Sequence, residues 1–263
     1  MDIAPTSYRI STITVTGSIN TDVLLQNMYN VLSTNTPKDV SYVEFGKNKH
    51  DLQSTGTNAK YTKKKMRKTQ SNRFDNQLTI VMMLNEKKYN IKLFKNGNVQ
   101  MTGVKSIDGG NEAIDKLIEI IEELYIYDDQ IVKNIKDMKN INYKIRLINS
   151  DFKVNFEIRL DYLYKIITQE YKIICSYEPC IYPGAKIEYY YPNNGFCKCT
   201  SFCTGKSETC KKITIAVFQS GCIIITGANK IEHIEIAYNF ICDILSKNMK
   251  RIQRNKLVLP KPK

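Results

Sequence analysis

Four cysteines stand within one short stretch, Cys197, Cys199, Cys203 and Cys210. Thiolates are soft ligands, and four of them can close a tetrahedral shell around zinc. The C-x-C-x3-C-x6-C spacing lacks the paired short spacings most zinc sites use. Two readings therefore stand together: a zinc site, or free or adventitiously oxidised thiols in a loop. All eight cysteines lie in the second half of the chain. In the absence of a secretory signal a disulfide framework is not expected. No other cofactor is indicated. Catalysis finds little support. The only histidines are His50, in a basic segment, and His233, in a charged helix. No phosphate-binding glycine loop, nucleophile elbow or paired-carboxylate motif appears, so the expectation is a protein that is not an enzyme.

The other chemistry on offer is electrostatic. The net charge is +13, unevenly placed. Residues 46–73 carry nine Lys or Arg against Asp51, and residues 247–263 carry seven with no acid. The remainder is near neutral. Such blocks sit in solvent and meet polyanions, or simply keep a protein soluble. Lys63, Lys64, Lys65, Arg67 and Lys68 form the densest run and are the expected phosphate clamp. No apolar run approaches the length of a membrane span, and no signal peptide opens the chain, so an intracellular protein with no membrane partner is expected.

The elements that would position these groups come from a duplication. FKNGNVQMTGVK, from Phe94, recurs as FQSGCIIITGAN, from Phe218. Phe94, Gly97, Thr102 and Gly103 reappear as Phe218, Gly221, Thr226 and Gly227, at a constant offset. After each Thr-Gly a helical stripe follows, over 111–124 and 230–245. Ahead of each Phe, alternating segments read as hairpins: 78–84 with 89–94, and 186–191 with 213–218. Each half opens with a strand (8–17, 143–154) and a short helix (about 22–34, 159–169). The expected order in each half is thus strand, helix, four strands, helix. Two amphipathic helices can cover one face of an antiparallel sheet and leave the other face open for binding. The domain limits are 1–127 for the first repeat with the basic insert 46–73, 128–142 for a connector, 143–248 for the second repeat with the cysteine insert 192–211, and 249–263 for a basic tail.

Three motifs in order carry a family resemblance: KIRLINSDFKVNFEIRLD (144–161), SYEPCIYPG (176–184) and FQSGCIIITGAN (218–229). They resemble the second repeat of the TATA-box-binding protein (TBP) family, in the form carried by large cytoplasmic DNA viruses of the African swine fever virus type. The resemblance implies an α+β fold in which two tandem repeats form a saddle-shaped, curved antiparallel sheet with helices on its convex face. It implies a monomeric transcription initiation factor that binds and bends AT-rich double-stranded promoter DNA and recruits a TFIIB-like factor and RNA polymerase. The site of action would be the host cytoplasm for a viral protein, and the nucleus otherwise. The rivals are an interaction hub whose DNA binding has decayed, and a general single-strand binder that stacks bases on aromatic rings.

By the same resemblance Phe94 and Phe218 match the family's wedging phenylalanines, and Tyr182 matches the second wedge of its half. In the first half, ungapped counting back from Phe94 lands on Gln77, and Phe74 nearby is the candidate. Thr102 and Thr226 match groove-contacting threonines, with Ile224 on the same face as Thr226. Where the family has a central asparagine the chain has Leu147, with Asn149 on the same face and Ser11 or Thr12 as the first-repeat counterpart. Met83, Asn98, Glu188 and Cys222 replace basic phosphate contacts, whereas Lys105 and Lys230 remain near theirs. Glu178 and Ile181 match the surface that meets a TFIIB-like factor.

Overall fold

The computed structural model describes residues 3–46, 48–51, 76–193, 195–199, 203, 205–207 and 210–254. Phe74 and the run Lys63, Lys64, Lys65, Arg67 and Lys68 lie outside the described residues, as does the chain after Arg254.

The first repeat runs β1 (Arg9–Ser18), α1 (Leu25–Thr34), β2 (Val40–Phe45), β3 (Asn48–Asp51), β4 (Gln77–Leu84), β5 (Lys87–Phe94), β6 (Asn98–Val104) and α2 (Ile107–Leu124). The second runs β7 (Ile141–Lys153), α3 (Leu160–Lys165) continued by a π turn to Glu170, β8 (Cys175–Ser176), β9 (Gly184–Tyr191), β10 (Lys206–Ser207), β11 (Cys210–Phe218), β12 (Cys222–Ala228) and α4 (Ile231–Ile252). The α+β class and the duplication are as expected. Each repeat gains one short strand beyond the expected order, β3 at the start of the basic insert and β10 inside the cysteine insert. No helix among the described residues is long and apolar enough to cross a membrane.

The chain forms two compact units, residues 13–146, and residues 1–12 together with 147–263. In the first unit the strands lie in the order β3-β2-β4-β5-β6-β1. In the second the order is β7-β12-β11-β9-β8, with β10 paired to β11. The opening residues, expected with the first repeat, group with the second. Thr6 N–H donates to Lys153 O (2.8 Å), and Tyr238 Oη donates to Thr6 O (3.0 Å).

Strand periodicity sorts the side chains. In β5, Tyr89, Ile91 and Leu93 are buried while Asn90 is exposed and Lys92 and Phe94 are half-buried. In β12, Ile223 and Ile225 are buried while Cys222 and Ile224 are exposed. The buried rows meet the helices. The stripe Ala113, Ile114, Leu117, Ile120, Ile121 and Leu124 of α2 covers the first, and Ile234, Ala237, Ile241, Ile244 and Leu245 of α4 cover the second. Each isoleucine or leucine so taken out of water contributes about 1.5–3 kcal/mol, and each alanine less.

Both long helices exceed their expected spans. α2 starts at Ile107 because Ser106 Oγ accepts from Gly109 N–H (3.3 Å), an N-cap placed ahead of the apolar stripe. Its Gly109 and Gly110 let Tyr89 and Tyr143 close in, since a Cβ there would lie 2.5 and 2.4 Å from their hydroxyl oxygens. α4 continues to Ile252 because Met249 and Ile252 keep the apolar stripe going. The tail set at 249–263 thus begins within this helix. The chain returns to its own repeat beyond α2 and at the last residue of α4: Leu24 N–H donates to Ile131 O, and Arg159 N–H donates to Ile252 O.

Candidate nucleic-acid interface

The Phe-x-x-Gly motif of each repeat is a closed turn. Gly97 N–H donates to Phe94 O (2.9 Å), and Gly221 N–H donates to Phe218 O (3.0 Å). Both glycines adopt left-handed φ, +72° and +80°. A Cβ on Gly97 would lie 2.1 Å from Thr21 O, and one on Gly221 would lie 2.5 Å from Phe156 O. Only glycine fits such a corner. The turn fixes the end of β5 or β11, so the phenylalanine ring stands at the strand's last open-face position.

In the second unit Phe218 has a partner. Its ring lies 5.7 Å from that of Tyr182, tilted by 56°, and Lys186 Nζ stands 3.9 Å above the Tyr182 ring. Gly184 pairs with Phe218 across the ladder, and a Cβ there would sit 3.0 Å from both rings. Phe94 pairs with Gln77 in the same manner. Gln77 therefore corresponds to Gly184 and not to Tyr182. The position matching Tyr182 is residue 75, beside Phe74 and outside the described residues.

The Thr-Gly motifs are bulges. Ladder register slips between Ile13 and Val15 in β1, opposite β6, and between Ile225 and Ala228 in β12. Gly103 and Gly227 supply left-handed φ there, +83° and +94°. The slip re-aims Thr226 onto Asn149. Thr226 Oγ1 donates to Asn149 Oδ1, and Asn149 Nδ2 donates to Thr12 Oγ1 (3.0 Å). Ile13 and Ile148 occupy matching positions opposite Val104 and Ala228, so Thr12 is the first-repeat counterpart of Leu147. Thr102 is exposed on β6 and pairs with Asn90.

Charge on the open faces is mixed. In the second unit Asp151 lies opposite Ile224, and Ala216 opposite Lys186. Glu188 pairs with Thr214, which pairs with Thr226. Both acids are held. Arg9 Nε donates to Asp151 (2.8 Å), while Lys212 Nζ and Tyr190 Oη donate to Glu188 (3.1 and 3.0 Å). Burial, and then the Glu188 carboxylate, push the Tyr190 phenol up to about 12. In the first unit a groove of about 780 Å³ is lined by Thr16, Phe94, Asn98, Gln100 and Arg146. There Arg146 Nε donates to Thr16 Oγ1 (2.7 Å). Arg9, Arg146 and Lys186 escaped the sequence reading. Lys105 and Lys230 are exposed at the starts of α2 and α4. Lys230 occupies the N-cap position that Ser106 fills in α2, and it makes no cap bond.

The comparisons fit this geometry. A family model described as transcription factor TFIID (or TATA-binding protein, TBP) matches residues 51–124 and 142–248. The chain belongs to the TATA-binding protein family. It is 35% identical to a TATA-box-binding protein-like protein of Acanthamoeba polyphaga mimivirus, over 94% of this chain and 67% of that protein. It is 25% identical to TATA-box-binding protein 2 of Entamoeba histolytica, over 65% of each chain. It thus spans about two thirds of the length of these relatives. Methanococcus jannaschii TBP shares the fold, with a TM-score of 0.51 at 19% identity, over 92% of this chain and 99% of that one. Family membership gives the chain a TBP-like role, that of a transcription factor that binds DNA.

In this TBP relative the segment Ser176–Gly184 carries a tight turn, with Ile181 N–H and Tyr182 N–H both donating to Glu178 O (2.9 Å each). The turn lifts Ile181 out to 80% exposure beside an exposed Glu178. The cysteine insert occupies the β9–β11 connection. The same connection in the first repeat is a two-residue turn, with Asn85 and Glu86 at φ of 49° and 61°. The four cysteines converge there, all ligand atoms within 4.8 Å of one another. Cys203 Sγ accepts from Gly205 N–H (3.3 Å), which with the neighbouring thiols holds its pKa down at about 7. Burial pushes the Cys210 thiol up.

Proposed function

We propose that this TBP-family chain binds AT-rich duplex promoter DNA on its open sheet faces, bends it, and recruits a TFIIB-like factor and RNA polymerase. The observation that carries this reading is the pair of Phe-x-x-Gly turns, each holding a phenylalanine at the open end of a strand. An apolar ring so held can wedge between base steps. Unstacking costs about a few kcal/mol per step, offset by the greater surface that bent DNA buries. The Thr12–Asn149–Thr226 cluster supplies hydrogen-bonding groups suited to the minor groove's acceptors, where AT pairs lack the guanine amino group. Ile181, standing out beside Glu178, supports the partner surface, because a large aliphatic side chain held in water gains by being covered.

The test is end-to-end fluorescence transfer on duplexes with a central AT-rich element and a GC-rich control. The full chain would be run at near-physiological salt beside Phe94→Ala and Phe218→Ala. Selective AT binding with a shortened end-to-end distance, lost in both variants, is the expected result. Equal weak binding without bending would overturn the reading in favour of an interaction hub, which the acids Asp151 and Glu188 on the open face would suit. Preference for single strands would favour base stacking on the aromatic rings.

A further inference from the structure

We propose that Cys197, Cys199, Cys203 and Cys210 bind one zinc ion in a closed, four-thiolate structural site that fastens the β9–β11 insert to the end of its sheet. The insert replaces a two-residue turn with residues 192–209, and it brings little apolar surface of its own. Phe196, for instance, is 43% exposed. A segment this small needs a staple to hold one conformation. The sulfur geometry matches zinc. Tetrahedral Zn–S bonds of about 2.3 Å place sulfurs about 3.8 Å apart. Here Cys203 Sγ and Cys210 Sγ are 3.5 Å apart, and Cys210 Sγ and Cys197 Sγ 3.8 Å.

The surroundings suit a metal-bound thiolate. The Gly205 N–H is aimed at the Cys203 sulfur, and such outer-shell donors orient ligands and spread their charge. Position 205 requires glycine. Gly205 has φ of +62°, and a Cβ there would lie 2.5 Å from Lys212 Cβ. Cys210 is buried at the start of β11, so the rigid sheet supplies one ligand and the insert the other three. Four thiolates and Zn²⁺ sum to a dianion, and Lys198, Lys206, Lys211 and Lys212 flank the ligands in sequence. With all four positions filled by protein no site remains for water, so the ion holds structure and performs no hydrolysis. Binding releases the protons of the thiols it takes up.

The experiment uses the full chain, purified under reducing conditions without chelator, and reads metal by mass spectrometry. It is independent of DNA binding. About one zinc per chain is expected, with cobalt substitution giving the intense thiolate charge-transfer and tetrahedral ligand-field bands of a four-sulfur site. Cys199→Ser, in the exposed part of the insert, and Cys210→Ser should each lose the metal, while Cys242→Ser on α4 should keep it. Circular dichroism distinguishes loss of metal from loss of fold. Less than half an equivalent of zinc in the parent overturns the site. So does a mapped disulfide within the four cysteines of the reduced preparation, or full zinc retention in a folded Cys199→Ser variant.

Discussion

Thr226 on β12 donates a hydrogen bond from its hydroxyl to the side-chain oxygen of Asn149 on β7, across a bulge at which Gly227 takes a left-handed φ. The bond fixes the asparagine's orientation, and its nitrogen turns to Thr12. A hydrogen-bonding group pointed in advance at the open face binds without spending side-chain entropy on ordering.

Asn149→Ala removes both bonds. At roughly 1 kcal/mol for a typical bond, folding stability should fall by about 1–2 kcal/mol, and affinity for an AT-rich duplex by about tenfold. Asn149→Asp keeps the acceptor but adds charge, so its loss of affinity should be larger at low salt and should shrink as salt screens the added repulsion. Chemical denaturation and fluorescence anisotropy measure the two effects. An alanine variant that binds like the parent removes Asn149 from the interface.

Gly184 leaves room for the Tyr182–Phe218 pair. Its substitution by alanine puts a Cβ 3.0 Å from each ring, so one ring must move by a few tenths of an ångström. Gly184→Ala should fold, and should bend DNA less than the parent at matched occupancy. Fluorescence transfer across the duplex, compared at saturating protein, checks this. An unchanged bend would mean that the pair is not the wedge.

Arg9 is 80% exposed at its side chain, so its bond to Asp151 adds little stability, within about 1 kcal/mol. Its expected value is in masking the acid beside Ile224. Arg9→Ala should leave the melting temperature almost unchanged and weaken DNA binding severalfold. Asp151→Asn should do the reverse and tighten it. The Asp151→Asn background separates masking from direct contact. If Arg9 only masks the acid, Arg9→Ala costs no further affinity there, whereas loss of a direct phosphate contact still weakens binding and lowers the slope of log K against log salt by about 0.9.

Much of this was legible in the sequence because the informative residues are those the backbone itself demands. Gly97 and Gly221 take a φ that other residues resist, so the turns that display Phe94 and Phe218 left an identifiable repeat. The apolar stripes of α2 and α4 were legible for the same reason, as was the α+β class. What was not legible depends on pairings between distant residues. Arg9 meets Asp151 across 142 positions, and nothing local marks either. The assignment of Gln77 to the Gly184 position needed the ladder register. His233 lies among charges in the sequence yet is 5% exposed against Tyr191, because α4 turns that face inward.

That histidine should shape acid stability. Burial, then the neighbouring Lys230, lower its pKa in the folded chain, against a smaller raising effect from Glu232, and Lys211 adds the least to the lowering. The unfolded chain binds the proton more tightly. The neutral, folded form is therefore fully favoured above the unfolded value of about 6.5. Stability should fall as pH drops below that value, until the pH passes the lowered folded pKa. His233→Gln should flatten denaturation midpoints between pH 7 and 5 relative to the parent. An equal slope in both would exclude His233 as the source.

Lys230 sets binding against stability. It stands at the N-cap of α4, where the helix dipole presents partial positive charge and the first N–H groups lack a side-chain acceptor. The equivalent position in α2 is Ser106, which does accept. Lys230→Ser should therefore stabilise the chain by about 1 kcal/mol, raising its melting temperature by a few degrees. If Lys230 contacts phosphate, the same variant should bind duplex DNA more weakly, with a salt slope lower by about 0.9. Calorimetry and a salt titration on one preparation decide the matter. Higher stability with unchanged DNA affinity would make Lys230 a tolerated defect of the cap and remove it from the interface. Lower stability would mean that the lysine stem contributes packing that the serine cannot replace.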